Sequence, residues 1–266
     1  LDDDGNRTMI PQDQASYMDI APEDHGENIR RDISFALVDM GIRPEASHHE
    51  MGPGQNEIDF RYADPLIAAD NASTFKWVVK SIATSDGVWA DFSPKPLADK
   101  PGNGMHINMS VESRDGQDHS AAFMAGILEH IREMTLFLNP TRESYERLGD
   151  MKAPKFVSWS EQNRSQLIRI PASRSDLKRF ELRSPDPMAN PYLAFALLIY
   201  AGLDGIERGL EPMAPLDVNL FKADASITDQ LKRLPQSLDE AAAYAQSSEF
   251  IRSIVPAEYF DAYTIL

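Results

Sequence analysis

Three short stretches alternate polar and apolar residues so that every side chain capable of chemistry falls on one face. In MHINMSV, Met105, Ile107, Met109 and Val111 point one way and His106, Asn108 and Ser110 the other. In QNEIDFRY, Ile58, Phe60 and Tyr62 oppose Glu57, Asp59 and Arg61, and in RFELR, Phe180 and Leu182 oppose Arg179, Glu181 and Arg183. This period of two belongs to a β-strand. Glu57, His106 and Glu181, with Glu50 from HHEMGPGQNE, are oxygen and imidazole ligands suited to a divalent cation such as magnesium or manganese. The Gly52-Pro53-Gly54 turn would fold Glu50 back beside Glu57. The pattern alone leaves open a plain hairpin with solvated carboxylates, and a strand histidine satisfied by its neighbours. Gly102 and Gly104 just before His106 point to close backbone approach or to a simple turn.

Arginines form a second constellation. Arg147, Arg164, Arg169, Arg179 and Arg183 gather between ESYERL and FELRSPDP in an otherwise acidic chain. Guanidinium forks suit phosphate and carboxylate oxygens and neutralise charge developing on a transferred phosphoryl group; ion pairs to Asp and Glu are the alternative. Metal ligands interleaved with arginines describe a site for a phosphoanhydride and a carboxylate together. No P-loop, no GxGxxG leading into a helix and no serine-hydrolase signature occurs.

The elements that must position these groups are mostly helical. A helix is predicted from Glu27 to Met40, where Ile29, Ile33 and Leu37 recur every four residues before Gly41. Asp64-Pro65 opens another, with a stripe of Leu66, Phe75, Val78, Val79 and Ile82 running to Gly87. Phe123, Ile127, Ile131 and Met134 repeat at helical spacing, Asn190-Pro191 opens PYLAFALLIYAGLDGI, and Ser237-x-x-Glu240 is a capping box. Residues 1–22 are the least patterned. The reading is an α+β fold, an antiparallel sheet backed by helices on its apolar face, with the polar rows gathered on the other.

Composition bounds the function. A chain of 266 residues, 42% hydrophobic, buries a sizeable core and is expected to form one domain. With 42 acidic against 26 basic residues, the net charge of −16 disfavours nucleic acid and anionic membranes. No stretch approaches the roughly 20 apolar residues of a membrane span. The absence of cysteine excludes disulfides and thiolate metal sites and is compatible with the cytoplasm.

Four strings in order, HHEMGPGQNEI, GNGMHINMS, NRSQLIRIP and RFELRSPDPMANPYLAFALLIYAGLDGI, closely resemble successive motifs of bacterial type I glutamine synthetases, and the resemblance runs from about Tyr17 to the end. It implies a catalytic domain in which an antiparallel half-barrel face is backed by helices, assembled as a homo-dodecamer of two rings. It implies two Mg2+ or Mn2+ ions per site in the intact enzyme, and ATP, glutamate and ammonia as partners. ATP would phosphorylate the glutamate side chain, and ammonia would displace phosphate from the γ-glutamyl phosphate. By position, Glu50 and Glu57 resemble ligands of the tighter metal, and His106 and Glu181 ligands of the metal that holds the ATP phosphates. Arg164, Arg169 and Arg183 resemble the phosphate-binding and phosphoryl-transfer arginines. Arg147 matches the arginine that takes the substrate carboxylate, Gly102 falls in the glycine loop at glutamate, and His48, Tyr62, Ser110 and Arg179 sit where the family contacts nucleotide.

Departures from the pattern are equally specific. The family's Glu-Pro-Glu motif and small N-terminal β-grasp domain have no counterpart within residues 1–266, and the C-terminal end is shorter. The resemblance therefore implies a domain truncated at both ends, folded yet inactive alone as a ligase. Where the family's flap carries Glu-Ala-Pro, this chain has Lys152-Ala153-Pro154 with one fewer residue before it. A protonated lysine cannot help deprotonate ammonium, so another amine becomes an alternative substrate. A non-catalytic ring protein is a further alternative, which the ligand and arginine set argues against. The tyrosine that some relatives adenylylate falls at Phe221, which offers no hydroxyl.

Overall fold

A computed structural model describes residues 1–171 and 179–264. The chain divides into two compact units, one of residues 1–92 with 96–102, the other of residues 93–95 with 103–266.

In the first unit, α1 (Glu27–Asp39) and α2 (Pro65–Ser85) accompany a two-stranded antiparallel sheet of β1 (Pro44–His49) and β2 (Asn56–Phe60). The four-residue spacing of Ile29, Ile33 and Leu37 does place them on one face of α1. With Ile42 and Val78, Ile33 and Leu37 form a small core against which Ile58, Phe60, Phe75 and Ile82 pack. Leu66, expected on the buried stripe of α2, is instead 69% exposed, whereas Ala69, one turn on, is buried. Pro65 occupies the first turn of α2 as predicted, although Asp64 makes no side-chain cap.

The second unit is built on α3 (Ser120–Leu138) and α5 (Pro191–Glu207), beside a four-stranded sheet of β3 (Ile107–Ser110), β4 (Trp159–Glu161), β5 (Ile168–Ile170) and β6 (Arg179–Leu182). The strand order is β3-β6-β5-β4. Three further short helices precede or close the unit after α4 (Arg142–Arg147) and α5: α6 (Ala225–Thr228), α7 (Leu238–Ser247) and α8 (Glu249–Ile254), followed by α9 (Ala257–Thr264). Asn190 caps α5 by accepting from the amides of Tyr192 and Leu193, and Ser237 caps α7 by accepting from Glu240 N. Glu240 answers by accepting from Gln236 N rather than from the capping residue itself. α3 and α5 touch backbone to backbone. A Cβ on Gly126 would lie 2.0 Å from the carbonyl oxygen of Ala201, so only glycine permits this approach.

The sheet differs from the expectation in two ways. The three alternating stretches do not share one sheet: β2 pairs with β1 in the first unit, whereas β3 and β6 pair in the second. The larger sheet is also mixed, since β4 and β5 run parallel while the other pairs are antiparallel. Alternation fixes which side chains share a strand face; it carries no information on pairing partners.

Candidate functional site

In the first unit the β1–β2 hairpin brings three predicted residues together. His48 pairs with Glu57 and His49 with Asn56 across the strands. Glu50 begins the turn, which closes through Glu50 N donating to Gln55 O at 2.7 Å. Gly54 takes a positive φ of 63° there, the conformation that favours glycine. His48, Glu50 and Glu57 each offer a ligand atom, and these atoms lie within 4.8 Å of one another. The predicted folding back of Glu50 beside Glu57 is therefore what the hairpin does. His48 Nδ1 lies 3.1 Å from the His49 carbonyl, to which only an N–H can bond, so Nε2 of a neutral ring keeps its lone pair for a cation. Burial first, then the charges of Asp59 and Glu50, push the Glu57 carboxyl up to about 8. Two adjoining carboxylates need either a shared proton or a cation between them.

Nearby, the Gly102 carbonyl accepts from Gln55 Nε2 at 3.1 Å, which ties its loop to the Glu50 turn. Tyr62 lies just past β2, 70% exposed, with the Arg61 guanidinium 5.6 Å from its ring.

In the second unit Glu181 is the hub. It is 6% exposed in the centre of β6, opposite Asn108 of β3 and Arg169 of β5. Its Oε1 accepts from Arg183 Nη1 at 2.6 Å and lies 3.1 Å from His106 Nδ1. Its Oε2 is 2.9 Å from Arg169 Nε, an ion pair in which the N–H is not directed at the oxygen, so the buried Oε2 has no hydrogen-bond donor among the described residues. Burial raises the Glu181 pKa, but His106 and the Arg183 and Arg169 charges outweigh it and hold the carboxyl near about 2. The His106 pKa is lowered, by the surrounding protein first and by Arg183 and Arg147, against the opposing bond to Glu181. Together the two shifts make Glu181 an anion supported by arginines beside a neutral imidazole, a donor set that fits a divalent cation.

Arg147 ends α4, whose start is fixed by a capping box between Thr141 and Ser144. It is 3% exposed, and it donates from Nη1 to the Ser184 carbonyl at 2.7 Å and from Nη2 to the Arg183 carbonyl at 3.2 Å. Burial lowers its pKa to about 10, against the pull of Asp186, which leaves it cationic near neutrality. Gly104 makes the cradle: a Cβ there would sit 2.7 Å from Arg147 Nη2 and 3.0 Å from His106 Nε2. Ser110 and Arg179 are exposed partners across the β3–β6 ladder, and Arg164 occupies the exposed turn between β4 and β5. The loop bearing Lys152 is pinned by Lys95, whose Nζ is 2.5 Å from Asp150 Oδ2. Phe221 is 43% exposed.

Sequence reasoning passed over a second group of close ligand atoms, the buried Asp13, Asp24 and His49. Here protein donors already fill the oxygens. Asp24 accepts from Arg30 Nη1 and Nη2 at 3.1 and 2.5 Å, and Asp13 from the amides of Gly54 and His25 at 2.8 and 3.1 Å. This group is a hydrogen-bonded core. Asp13 gave no signal in the sequence because it lies in the unpatterned residues 1–22, where the backbone forms neither helix nor strand.

Residues 2–266 match the family model described as glutamine synthetase, catalytic domain. The chain is 45% identical to a glutamine synthetase of Methanosarcina mazei, over 99% of this chain and 62% of that protein. It is also 45% identical to one of Thermus thermophilus, over 94% of this chain and 59% of the relative. The chain thus spans about three fifths of the length of these relatives. Among solved structures, a GmaS/ADP complex superposes with a TM-score of 0.87 at 30% identity, covering 100% of this chain and 65% of its own. A Plasmodium falciparum glutamine synthetase superposes with a TM-score of 0.82 at 26% identity, over 95% of this chain and 60% of that one.

Proposed function

Because the chain belongs to the glutamine synthetase catalytic-domain family, we propose that it supplies the phosphoryl-transfer and metal-binding part of an ATP-dependent glutamate–ammonia ligase. In this reading the γ-phosphoryl group leaves ADP for a side-chain oxygen of glutamate. Ammonia then attacks the acyl carbon, the C–O bond to phosphate breaks, and the nitrogen gives up a proton. Glu50 and Glu57 would hold one divalent cation, and His106 and Glu181 another; such cations neutralise phosphate charge and orient the transferred group. Magnesium and manganese both suit these oxygen and nitrogen donors.

The observation that carries the reading is the buried Glu181 carboxylate, gathered with His106, Arg169 and Arg183, whose Oε2 faces Arg169 at 2.9 Å and accepts no hydrogen bond from the described residues. An oxygen held by charge alone keeps lone pairs with which to meet a cation. Arg169 and Arg183 border the same carboxylate and would meet the charge developing on the phosphoryl group, with Arg164 as a further phosphate contact. Arg147, held by two carbonyls beside Gly104, would present its remaining N–H groups to the α-carboxylate of glutamate, and Gly102 is a further proposed contact to that substrate. His48, Tyr62, Ser110 and Arg179 are the proposed contacts to the nucleotide, a role in keeping with the ADP borne by the GmaS relative. We take residues 1–266 as one catalytic domain of two units, working in the cytoplasm within a homo-dodecamer and requiring neither nucleic acid nor membrane. Among the described residues no helix is long and apolar enough to cross a membrane.

A second reading, a glutamate ligase for a different amine, is favoured by Lys152 in the loop where the family carries a glutamate. One experiment addresses both. The chain, joined to the further segments its relatives possess, is assayed for phosphate release with ATP, glutamate, Mn2+ and either ammonium or a series of primary amines. Release with ammonium supports the first reading and release with a primary amine alone the second; release with neither overturns both.

A further inference from the structure

We infer that Asp13 and His49 act as a positioning pair that fixes Glu50 for metal binding, an inference that rests on the metal reading of the hairpin given above. His49 follows His48 in β1, so by strand alternation it turns inward where His48 turns toward the ligand group, and it is 0% exposed. Its ring makes two hydrogen bonds. Nε2 lies 2.9 Å from Asp13 Oδ1 and Nδ1 lies 2.6 Å from the backbone carbonyl of Glu50. The ring is thus held at both nitrogens, against the Asp13 carboxylate on one side and the Glu50 backbone on the other.

The pair clamps the turn from both sides. Asp13 Oδ1 also accepts from Gly54 N at 2.8 Å, so one carboxylate holds the far end of the turn directly and the near end through His49. The Glu50 amide donates to Gln55 O at 2.7 Å while its carbonyl takes the His49 proton, which leaves the Glu50 backbone no freedom on either side. Asp13 itself is pinned by the amides of Ala15 and His25. Burial works against its charge, yet the Gly54 amide and His49 hold its carboxyl below the usual carboxylate range. The ligand carboxylate of Glu50 therefore leaves from a Cα fixed by a buried hydrogen-bonded pair, and a cation arriving there need not order the loop first.

The test uses this chain and Mn2+, with affinity read by electron paramagnetic resonance. His49→Gln places an amide where Nε2 sits, keeping a donor for Asp13 while losing the one for Glu50. His49→Asn does the reverse, and Asp13→Asn removes the anion. We expect His49→Gln and Asp13→Asn to weaken Mn2+ binding by about 10- to 100-fold, the usual range for partners of metal ligands. His49→Asn should restore part of that loss, and amide exchange of Gly54 should quicken in Asp13→Asn while unfolding stays cooperative. Mn2+ binding that depends on Glu50 but is unchanged in these variants overturns the inference alone. Affinity falling only in step with the unfolded fraction also overturns it. Wild-type Mn2+ binding that is indifferent to Glu50→Gln overturns the metal reading, and this inference with it.

Discussion

Arg183 Nη1 lies 2.6 Å from Glu181 Oε1, and both side chains are almost wholly buried, while the second oxygen of Glu181 lies 2.9 Å from Arg169 Nε and receives no hydrogen bond from the described residues. One carboxylate thus has one oxygen hydrogen-bonded to Arg183 and the other held by the Arg169 charge without a hydrogen bond. Replacing it by glutamine keeps the shape and deletes the charge. Glu181→Gln should weaken Mn2+–ADP binding by at least about tenfold, read by calorimetry. It should also lower the thermal midpoint, because Arg183 is left a buried cation without its anion. Retained affinity would count against Glu181 as a ligand.

The Glu57 shift gives a pH dependence of defined sign. Its folded pKa, about 8, lies above the ordinary 4.5, so the folded chain binds the extra proton more tightly than the unfolded chain. That contribution to stability is complete below about 4.5 and is lost as pH rises through about 8. The difference in thermal midpoint between wild type and Glu57→Gln should therefore change across this window, wild type losing ground toward pH 8. Saturating Mn2+ replaces the proton, so the ion should stabilise wild type most at the alkaline end. A midpoint difference that is flat from pH 5 to about 8 would refute this.

Gly104 offers a more local test. Its backbone φ is one that alanine adopts, so Gly104→Ala should fold, but the new Cβ would press on Arg147 Nη2 and His106 Nε2 at once. We expect weaker binding of both glutamate and Mn2+–ADP, with a change in thermal midpoint much smaller than that of Gly126→Ala. The latter drives a methyl to 2.0 Å from the Ala201 carbonyl between α3 and α5 and should cost about 3 kcal/mol. Urea denaturation of the two variants separates the effects.

How much of this was legible in the sequence varied with the length of the pattern. α1 and α5 were readable because a repeat of several turns, ended by Gly41 or opened by Asn190-Pro191, leaves little choice of period. The polar faces of β2, β3 and β6 followed from alternation, and Asn108 does stand opposite Glu181 and Ser110 opposite Arg179. The three-residue β4 and β5 are too short to show a period, so the strand carrying Arg169 was missed although the arginine itself was not. α4 is one turn and a half, signalled only by a Thr141–Ser144 capping box that lacks the usual Glu or Gln. The support of Glu50 by Asp13, 37 residues earlier, is a tertiary contact that no local pattern encodes.

The claim on which the rest depends is that Glu50 with Glu57, and His106 with Glu181, hold divalent cations. Crystals of the chain grown with Mn2+ and ADP, with diffraction recorded at the manganese absorption edge, test it directly. One anomalous peak is expected in coordination contact with Glu50 and Glu57 and another in contact with His106 and Glu181, at distances of roughly 2.0–2.4 Å. Bound ADP with no peak at either pair, or a peak at Asp13, Asp24 and His49 instead, would contradict it.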